Sequence, residues 1–374
     1  MSQASTREVA AAFARLGVTA FGGPVAHIAM MRDEMVIRRR WLDEREFLDM
    51  VAACNLLPGP SSTELAAALG RRRAGWPGFA AAGAAFVLPA VAIVMALAWA
   101  YERYGTTATA VDLSYGILPV VVGVIAHAVV GLARTATETW RRRSPLLTAG
   151  AAAAAWAAGL GELPILVAAG VLGAACALRR PQGMASFLLP VLPAAAAGDS
   201  VETWRLAWAF LRIGALLFGS GYVLVGFLER DLVQTLGWLT ERQLLDAIAI
   251  GQVTPGPLFT TATFVGYQVG GFSGGLVATV AIFAPGFAAV AMADRLLPRV
   301  RSSRVASAAL DAVVAASLGL MAAALARIAT TALTDVLTWT LGVASAGVLM
   351  WRRPNTAWLV AAGAVVGLAH GALT

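Results

Sequence analysis

Pro58-Gly59-Pro60 interrupts an apolar stretch of this chain, and Pro255-Gly256-Pro257 repeats the same three residues 197 positions later. A helix cannot continue regularly through either segment, because each proline lacks a backbone donor and clashes with the preceding turn. In apolar surroundings, the freed backbone groups need shelter by protein or by a water-filled cavity. The two breaks therefore predict two sheltered, irregular segments at matching positions of a duplicated chain.

The duplication extends well beyond the breaks. Residue n matches residue n + 197 without a gap from Phe13 to Pro60, and the match resumes at an offset of 196 after one residue is lost. A period of this length is typical of transporters built from two halves. We expect a first transmembrane repeat over residues 1–180, a linker over 181–203 and a second repeat over 204–374.

The composition indicates a membrane protein. Of the 374 residues 59% are hydrophobic and 13% are charged, whereas soluble domains average about 25% charged residues. Several apolar stretches approach the ~20 residues that cross a hydrocarbon core. The net charge of +7 comes from arginines that flank these stretches, as in cytoplasmic loops, so we exclude a nucleic-acid partner.

No phosphate loop, zinc motif or nucleophile elbow is recognisable, which argues against an enzyme, a cofactor, a metal site or ATP-driven pumping. The expected partner is the lipid bilayer of a bacterial-type inner membrane, which the chain crosses many times. A homodimer is a possible assembly.

The arginine distribution predicts that the second half is inverted. Arginine clusters flank the first break, whereas in the second half they follow the span that begins near Leu276. Because cytoplasmic loops carry the arginine excess, equivalent loops face opposite sides. The fold predicted is all-α, with two inverted repeats, about ten transmembrane helices and two re-entrant Pro-Gly-Pro hairpins.

Polar side chains surround both breaks. Hydroxyls follow each one and fall in the first turn of a helix, where unpaired N–H groups and the helix dipole suit an anion. Ordinary N-capping is the alternative interpretation. Two amides lie three residues before the breaks and could donate to a ligand. These residues are Ser61, Ser62, Thr63, Thr260 and Thr261, with Asn55 and Gln252.

Each half also has a Phe-Gly turn preceded by an arginine. The turns Phe21-Gly22-Gly23-Pro24 and Phe218-Gly219-Ser220-Gly221 would unwind or kink the first span of each half, unless they only permit close helix packing. Arg15 and Arg212 lie six residues before these turns. A guanidinium there either reaches the membrane surface or supplies a counter-charge for an anion.

Two titratable groups occur near the first break only. Glu64 lies four residues after Pro60, and His27 lies beside the first glycine turn. Either could couple transport to protons, although a lone histidine on a helix is often structural. Their counterparts in the second half do not titrate in this way, so the predicted proton path is asymmetric.

The motifs resemble those of the chromate ion transporter family in its long, two-domain form. The resemblance rests on the two Phe-Gly turns, His27, Arg40-Trp41-Leu42, Arg72-Arg73-Ala74-Gly75 and both Pro-Gly-Pro segments. It implies export of chromate, a tetrahedral dianion similar to sulfate, driven by ion gradients without ATP. The chain departs from the family pattern at Ser61 and Glu64. A carboxylate beside a dianion would repel it unless protonated, so Glu64 either favours proton coupling or argues against chromate.

We therefore predict a secondary active oxyanion transporter, with chromate efflux coupled to a proton gradient as the first hypothesis. A sulfate or other oxyanion carrier and a passive, channel-like protein are the alternatives. The predicted helix-break residues are Pro58, Pro60, Pro255 and Pro257, and the predicted proton-coupling residues are His27 and Glu64. The predicted substrate-binding residues are Arg15, Gly22, Gly23, Asn55, Gly59, Ser61, Ser62, Thr63, Arg212, Gly219, Ser220, Gln252, Gly256, Thr260 and Thr261.

Overall fold

A computed structural model describes residues 5–20, 23–55, 57–139, 144–158, 160, 162–178, 203–217, 224–293, 303–352 and 355–373. Within those ranges the chain is predominantly helical. The helices are α1 Thr6–Thr19, α2 Gly23–Arg32, α3 Glu44–Cys54, α4 Ser61–Tyr104, α5 Ala108–Thr139, α6 Ser144–Ala157, α7 Glu162–Leu178, α8 Thr203–Leu216, α9 Leu224–Leu228, α10 Glu241–Val253, α11 Thr261–Ala291, α12 Arg304–Ala332, α13 Val336–Arg352 and α14 Thr356–Leu373.

Helix α1 and the segment that follows it form a hairpin. Helix α2 continues as a π-helical turn, Asp33–Arg38, and the Arg39 that follows pairs with Glu8 near the start of α1, with 3.4 Å between Arg39 Nη1 and Glu8 Oε1. The chain therefore leaves at the face where it entered, which we call the first face. The sequence predicted an unwound or kinked first span, whereas the structure shows two separate helices.

A second hairpin carries the first break at its tip. Helix α3 leads into the break, and the short arm of α4, residues 61–73, leads back out. Arg72 Nη2 donates to Glu46 Oε1 across 2.7 Å, so the hairpin also opens at the first face. The backbone then turns at Ala74 and at Gly75, whose φ is 64°. It continues as the long arm, residues 76–104.

The second half contains the same kinds of element in the same order. Helix α9 continues as a π-helical turn, Glu229–Thr235, and α10 leads into the second break. Helix α11 turns at Gly270 and Gly271, where φ and ψ are close to those of Ala74 and Gly75. Its short arm, residues 261–269, folds against its long arm, residues 272–291, since the hydroxyls of Thr263 and Thr279 lie 2.7 Å apart.

The two long arms pack side by side in opposite directions. Gly83 lies against Phe287 and Gly275 lies against Met95, so residue numbers rise along one arm as they fall along the other. At the first face Arg71 Nη1 donates to the Ala291 carbonyl across 3.1 Å. At the opposite end, which we call the second face, the Tyr101 hydroxyl donates to Asp246 of α10 across 2.7 Å. The hairpin of the second break therefore opens at the second face.

Within the described ranges, five helical segments are long and apolar enough to cross a membrane. They lie at 61–104, 108–131, 258–291, 311–332 and 356–373, with shorter apolar helices at 147–157 and 164–177. Along the long arm of α4, the 26 residues from Trp76 to Tyr101 span about 39 Å at 1.5 Å per residue, enough for a hydrocarbon core. The chain is an all-helical, multi-pass membrane protein. The number of about ten spans stays a prediction.

The tight turn of α4 can be tested at Gly78. A Cβ at this position would overlap the Gly70 carbonyl oxygen and lie 2.8 Å from the Ala74 Cβ. Gly78→Ala should therefore destabilise the protein by about 1–3 kcal/mol, the usual cost of overpacking. Thermal unfolding in detergent would show a lower midpoint. The matched control is Gly347→Ala in α13, where the added Cβ meets nothing within 4 Å. Equal midpoints for the two variants would contradict the close packing.

Candidate functional site

Each helix break is held by the other half of the chain. The Gly59 N–H donates to the Leu217 carbonyl across 2.7 Å, and the Gly256 N–H donates to the Ala20 carbonyl across 2.8 Å. Ala20 and Leu217 occupy matching positions, directly after α1 and α8. The freed backbone donors are thus satisfied by protein, as the apolar surroundings require. Each break is therefore hydrogen-bonded to the residue that follows the first helix of the opposite half.

Both breaks also require glycine for conformation and for space. Gly59 and Gly256 have φ values of 119° and 100°, which disfavour residues with a Cβ. A Cβ on Gly59 would lie 3.0 Å from the Gly286 Cα, and one on Gly256 would lie 2.8 Å from the Ala90 Cβ. The first break therefore packs closely against the long arm of α11, and the second break packs closely against the long arm of α4. Ala90 lies midway along its arm, so the second break contacts the middle of a helix that is long enough to cross a membrane.

A helix begins directly after the first break. Helix α4 starts at Ser61, and the residue before it, Pro60, makes no side-chain cap. The Pro60 carbonyl accepts from the N–H groups of Thr63 and Glu64, at 2.8 and 3.2 Å. After the second break, a 3-10 turn, Leu258–Thr260, precedes α11.

The hydroxyls of the second half are already bonded. Thr260 Oγ1 donates to the Pro257 carbonyl and Thr261 Oγ1 donates to the Leu258 carbonyl, both across 2.8 Å. In the first half, the Thr63 hydroxyl is buried and has no hydrogen-bond partner among the described residues. The two halves therefore share a backbone path but differ in the polar groups available to a ligand.

The two amides also differ. Gln252 is buried, and its Nε2 has no partner within the described ranges. Asn55 directly follows α3 and is exposed. Their predicted common role remains a prediction, and Gln252 is the better placed of the two to bind a ligand away from water.

Glu64 is the most unusual side chain of the site. It is only 1% exposed, and neither carboxyl oxygen has a hydrogen-bond partner in the part of the chain that the structure describes. Its carboxyl lies between two glycines, because a Cβ added to Gly59 or to Gly286 would contact Oε1. An ionised carboxylate in such a place is far costlier than a neutral carboxylic acid. The site thus holds a group that can carry a proton inside the membrane.

His27 joins the two breaks. Its Nε2 lies 3.1 Å from the Ala20 carbonyl oxygen, which also accepts from Gly256, and its Nδ1 lies 3.3 Å from Ser62 Oγ. A carbonyl oxygen only accepts, so Nε2 carries the proton; in a neutral ring, Nδ1 then accepts from the Ser62 hydroxyl. The ring packs edge-on against Phe86 at 5.6 Å. A single buried side chain thereby links the helix start after the first break to the backbone that holds the second.

The two predicted counter-charges have different surroundings. Arg212 forms an ion pair with Asp231. Arg15 is exposed and lines a cleft beside the π-helical turn that follows α2. Of the predicted glycine-turn residues, Gly23 begins α2, whereas Gly22, Gly219 and Ser220 lie outside the described residues. In the part of the chain that the structure describes, neither guanidinium has a hydrogen bond to a residue of a break.

Sequence reasoning missed three features. The carbonyls of Ala20 and Leu217 are backbone groups and have no sequence signal. The space that Gly286 leaves for Glu64 depends on a contact between distant helices. The acidic partner of Arg212 did have a signal, because Asp231 matches Glu34 at the offset of 197.

Paired helix breaks that meet spanning helices, with buried polar groups between them, define a transporter-type membrane protein. The chain matches the Chromate transporter family over residues 7–174 and 204–368, and it belongs to that family. It is 32% identical to a "Probable chromate transport protein" of Synechococcus elongatus, over 91% of this chain and 88% of that protein.

Two further relatives are named "Chromate transport protein". The one from Cupriavidus metallidurans is 30% identical over 97% of this chain and 92% of its own length. The one from Pseudomonas aeruginosa is 33% identical over 84% of this chain and 78% of its own length. No solved structure matches the chain. The family predicted from the motifs is thereby confirmed, and its relatives are named as transport proteins rather than as enzymes.

The link through His27 can be tested with the residue found in the other half. His27→Leu copies Leu224, its counterpart, and removes both hydrogen bonds at once. We expect a loss of stability of about 1–3 kcal/mol, because the buried Ser62 hydroxyl loses its partner. Thermal unfolding of His27→Leu, Ser62→Ala and the double variant would measure it. The two losses should not add, since both variants break one interaction; strict additivity would argue that His27 and Ser62 act independently.

Proposed function

We propose that the protein is a secondary active transporter that exports chromate from the cell and whose transport is coupled to the proton gradient. Membership of the Chromate transporter family and the names of the relatives support chromate as the substrate. The structural observation that carries the proposal is the buried, unpartnered Glu64 carboxyl beside the first break. The bacterial inner membrane is the proposed location.

An inverted repeat is the second part of the proposal. Its support is the opposite direction of the two long arms, with the hairpins of the first half opening at the first face and that of the second break at the second face. In transporters of this type, one half rocks against the other around a site near the membrane midplane. The bonds Gly59 to Leu217 and Gly256 to Ala20 would lie at that hinge.

Oxyanion binding would use the helix start after the first break. N–H groups and the positive end of the helix dipole favour an anion there. The Thr63 hydroxyl and the Gln252 amide supply buried donors that lack other partners. The bonded hydroxyls of Thr260 and Thr261 would have to leave their carbonyls before they could contribute.

Glu64 would bind the coupling proton. Its charge would repel a dianion, so the anion-loaded state favours the neutral acid. The proton and the anion then occupy the site together, and a chromate dianion with one proton has a net charge of −1. A membrane potential that is negative inside favours the exit of this charge by about 2.3 kcal/mol per 100 mV, whereas a pH gradient that is acidic outside opposes it, because the proton leaves with the anion. We propose the outward direction of transport because the membrane potential favours it.

Glu64→Gln tests the coupling. Glutamine imitates the protonated acid but cannot release a proton, so we expect chromate flux into proteoliposomes to continue while its response to a pH gradient disappears. Glu102→Gln, on the exposed far end of the same helix, is the matched control and should respond as the unmodified protein does. If Glu64→Gln keeps the full response to the gradient, Glu64 is not the coupling group.

The same vesicles separate the remaining candidates. A sulfate or general oxyanion carrier has the same site chemistry, and sulfate would then compete with chromate at similar concentrations. A passive, channel-like protein predicts flux that ignores the pH gradient even in the unmodified chain. Our proposal requires weak competition by sulfate together with a clear response to the gradient.

A further inference from the structure

One pair of oppositely charged residues occurs at matching positions in both halves, but its contacts differ between the halves. Arg15 and Arg212 occupy matching positions, and so do Glu34 and Asp231. In the second half, Arg212 and Asp231 bind each other, so the charge of that arginine is compensated. In the first half the equivalent pair does not form. The reason lies in two additional arginines.

Glu34 instead forms ion pairs with Arg39 and Arg38. Arg39 Nε donates to Glu34 Oε1 across 2.8 Å, and Arg38 Nη1 lies 3.4 Å from Oε2. The second half has Thr235 and Leu236 at the corresponding positions, which cannot do this. The hydrogen bond from Arg39 holds the pKa of Glu34 below its usual value, so the carboxylate stays ionised and bound.

Arg15 is left uncompensated in a cleft. The guanidinium is exposed and has no hydrogen-bond or ion-pair partner among the described residues. The cleft has a volume of about 240 Å³ and is lined by Arg15, Thr19, Met30, Asp33, Glu34 and Arg38. Because a water in the liquid takes up about 30 Å³, a four-oxygen anion fits with several waters. Asp33, the other carboxylate, lies 3.7 Å from Arg32.

The cleft lies close to the helix breaks. Thr19, at its edge, is followed by Ala20, whose carbonyl accepts from Gly256. Arg15 precedes Ala20 by five residues, about 7.5 Å along the helix axis. An anion held by Arg15 would therefore be about two helical turns or less from the backbone that secures the second break.

We propose that this cleft is a capture site for the oxyanion, in which Arg15 binds the anion and Arg39 is a positioning residue that holds Glu34 in an ion pair, so that Glu34 does not pair with Arg15. The proposal rests on the oxyanion transport proposed above and adds where the anion first binds. A guanidinium fork suits two oxygens of a tetrahedral anion. Arg212 does not bind the anion in this way, because its guanidinium is already paired with Asp231.

The test compares four variants with the unmodified protein in proteoliposomes by their KM for chromate. Arg15→Gln removes the binding group and should raise KM about tenfold, the value of one charge-assisted contact. Arg39→Leu copies Leu236, frees Glu34 to pair with Arg15 and should raise KM several-fold. The double variant Arg39→Leu with Glu34→Gln removes the competing carboxylate and should bring KM back to within about twofold of the unmodified protein. Arg7→Gln, on the exposed side of the same helix, is the charge-matched control.

The outcomes separate this inference from the general proposal. A double variant no better than Arg39→Leu alone, at equal abundance in the membrane, would show that Arg39 has only a structural role. An unchanged KM in Arg15→Gln would overturn the capture site and indicate that Arg15 simply reaches the membrane surface. Failure of the unmodified protein to transport chromate would instead reject the proposed function. If Arg39→Leu does not reach the membrane, Arg39→Gln takes its place in the same comparison.

Discussion

The structure depends on satisfying the backbone where two helices are broken inside a membrane. An N–H group that is left unpaired in such apolar surroundings is expensive. Each half of the chain supplies a hydrogen-bond acceptor to the break of the other half. The Gly59 N–H donates to the Leu217 carbonyl directly after α8, and the Gly256 N–H donates to the Ala20 carbonyl directly after α1. Neither break can be sheltered by its own half alone. This reciprocity ties two short hairpins to the central pair of long arms.

The two halves have similar backbones at the breaks, but the polar groups beside the breaks differ. The second half satisfies its hydroxyls with nearby carbonyls, and Thr263 bonds Thr279 within the turn of α11. In the first half, Thr63 and Glu64 have no hydrogen-bond partner among the described side chains and backbone groups, and His27 contacts the Ala20 carbonyl that also holds the second break. Among the described residues, the first half thus contains the buried carboxyl and imidazole beside the breaks, Glu64 and His27, while Gln252 of the second half adds a buried amide.

Charge pairing follows the same division. Matching positions carry an arginine and an acid in both halves, yet Arg212 pairs with Asp231, while the Arg15 guanidinium has no hydrogen-bond or ion-pair partner among the residues that the structure describes. The difference comes from Arg38 and Arg39, which engage Glu34 from the following turn. Removal of a competing partner is a common way to leave a charged side chain available for a ligand, because a carboxylate nearby would otherwise occupy it.

The sequence by itself determined the membrane class, the family, the duplication and the position of both breaks, because apolar length, arginine bias and proline chemistry act locally along the chain. It also selected Glu64 and His27. Only the tertiary structure decided that α1 and α2 are two separate helices, that Gly286 makes room for Glu64, and that Arg15 and Arg212 differ in their surroundings. Those outcomes depend on contacts between residues far apart in the chain, and similar local patterns in the two halves cannot distinguish them.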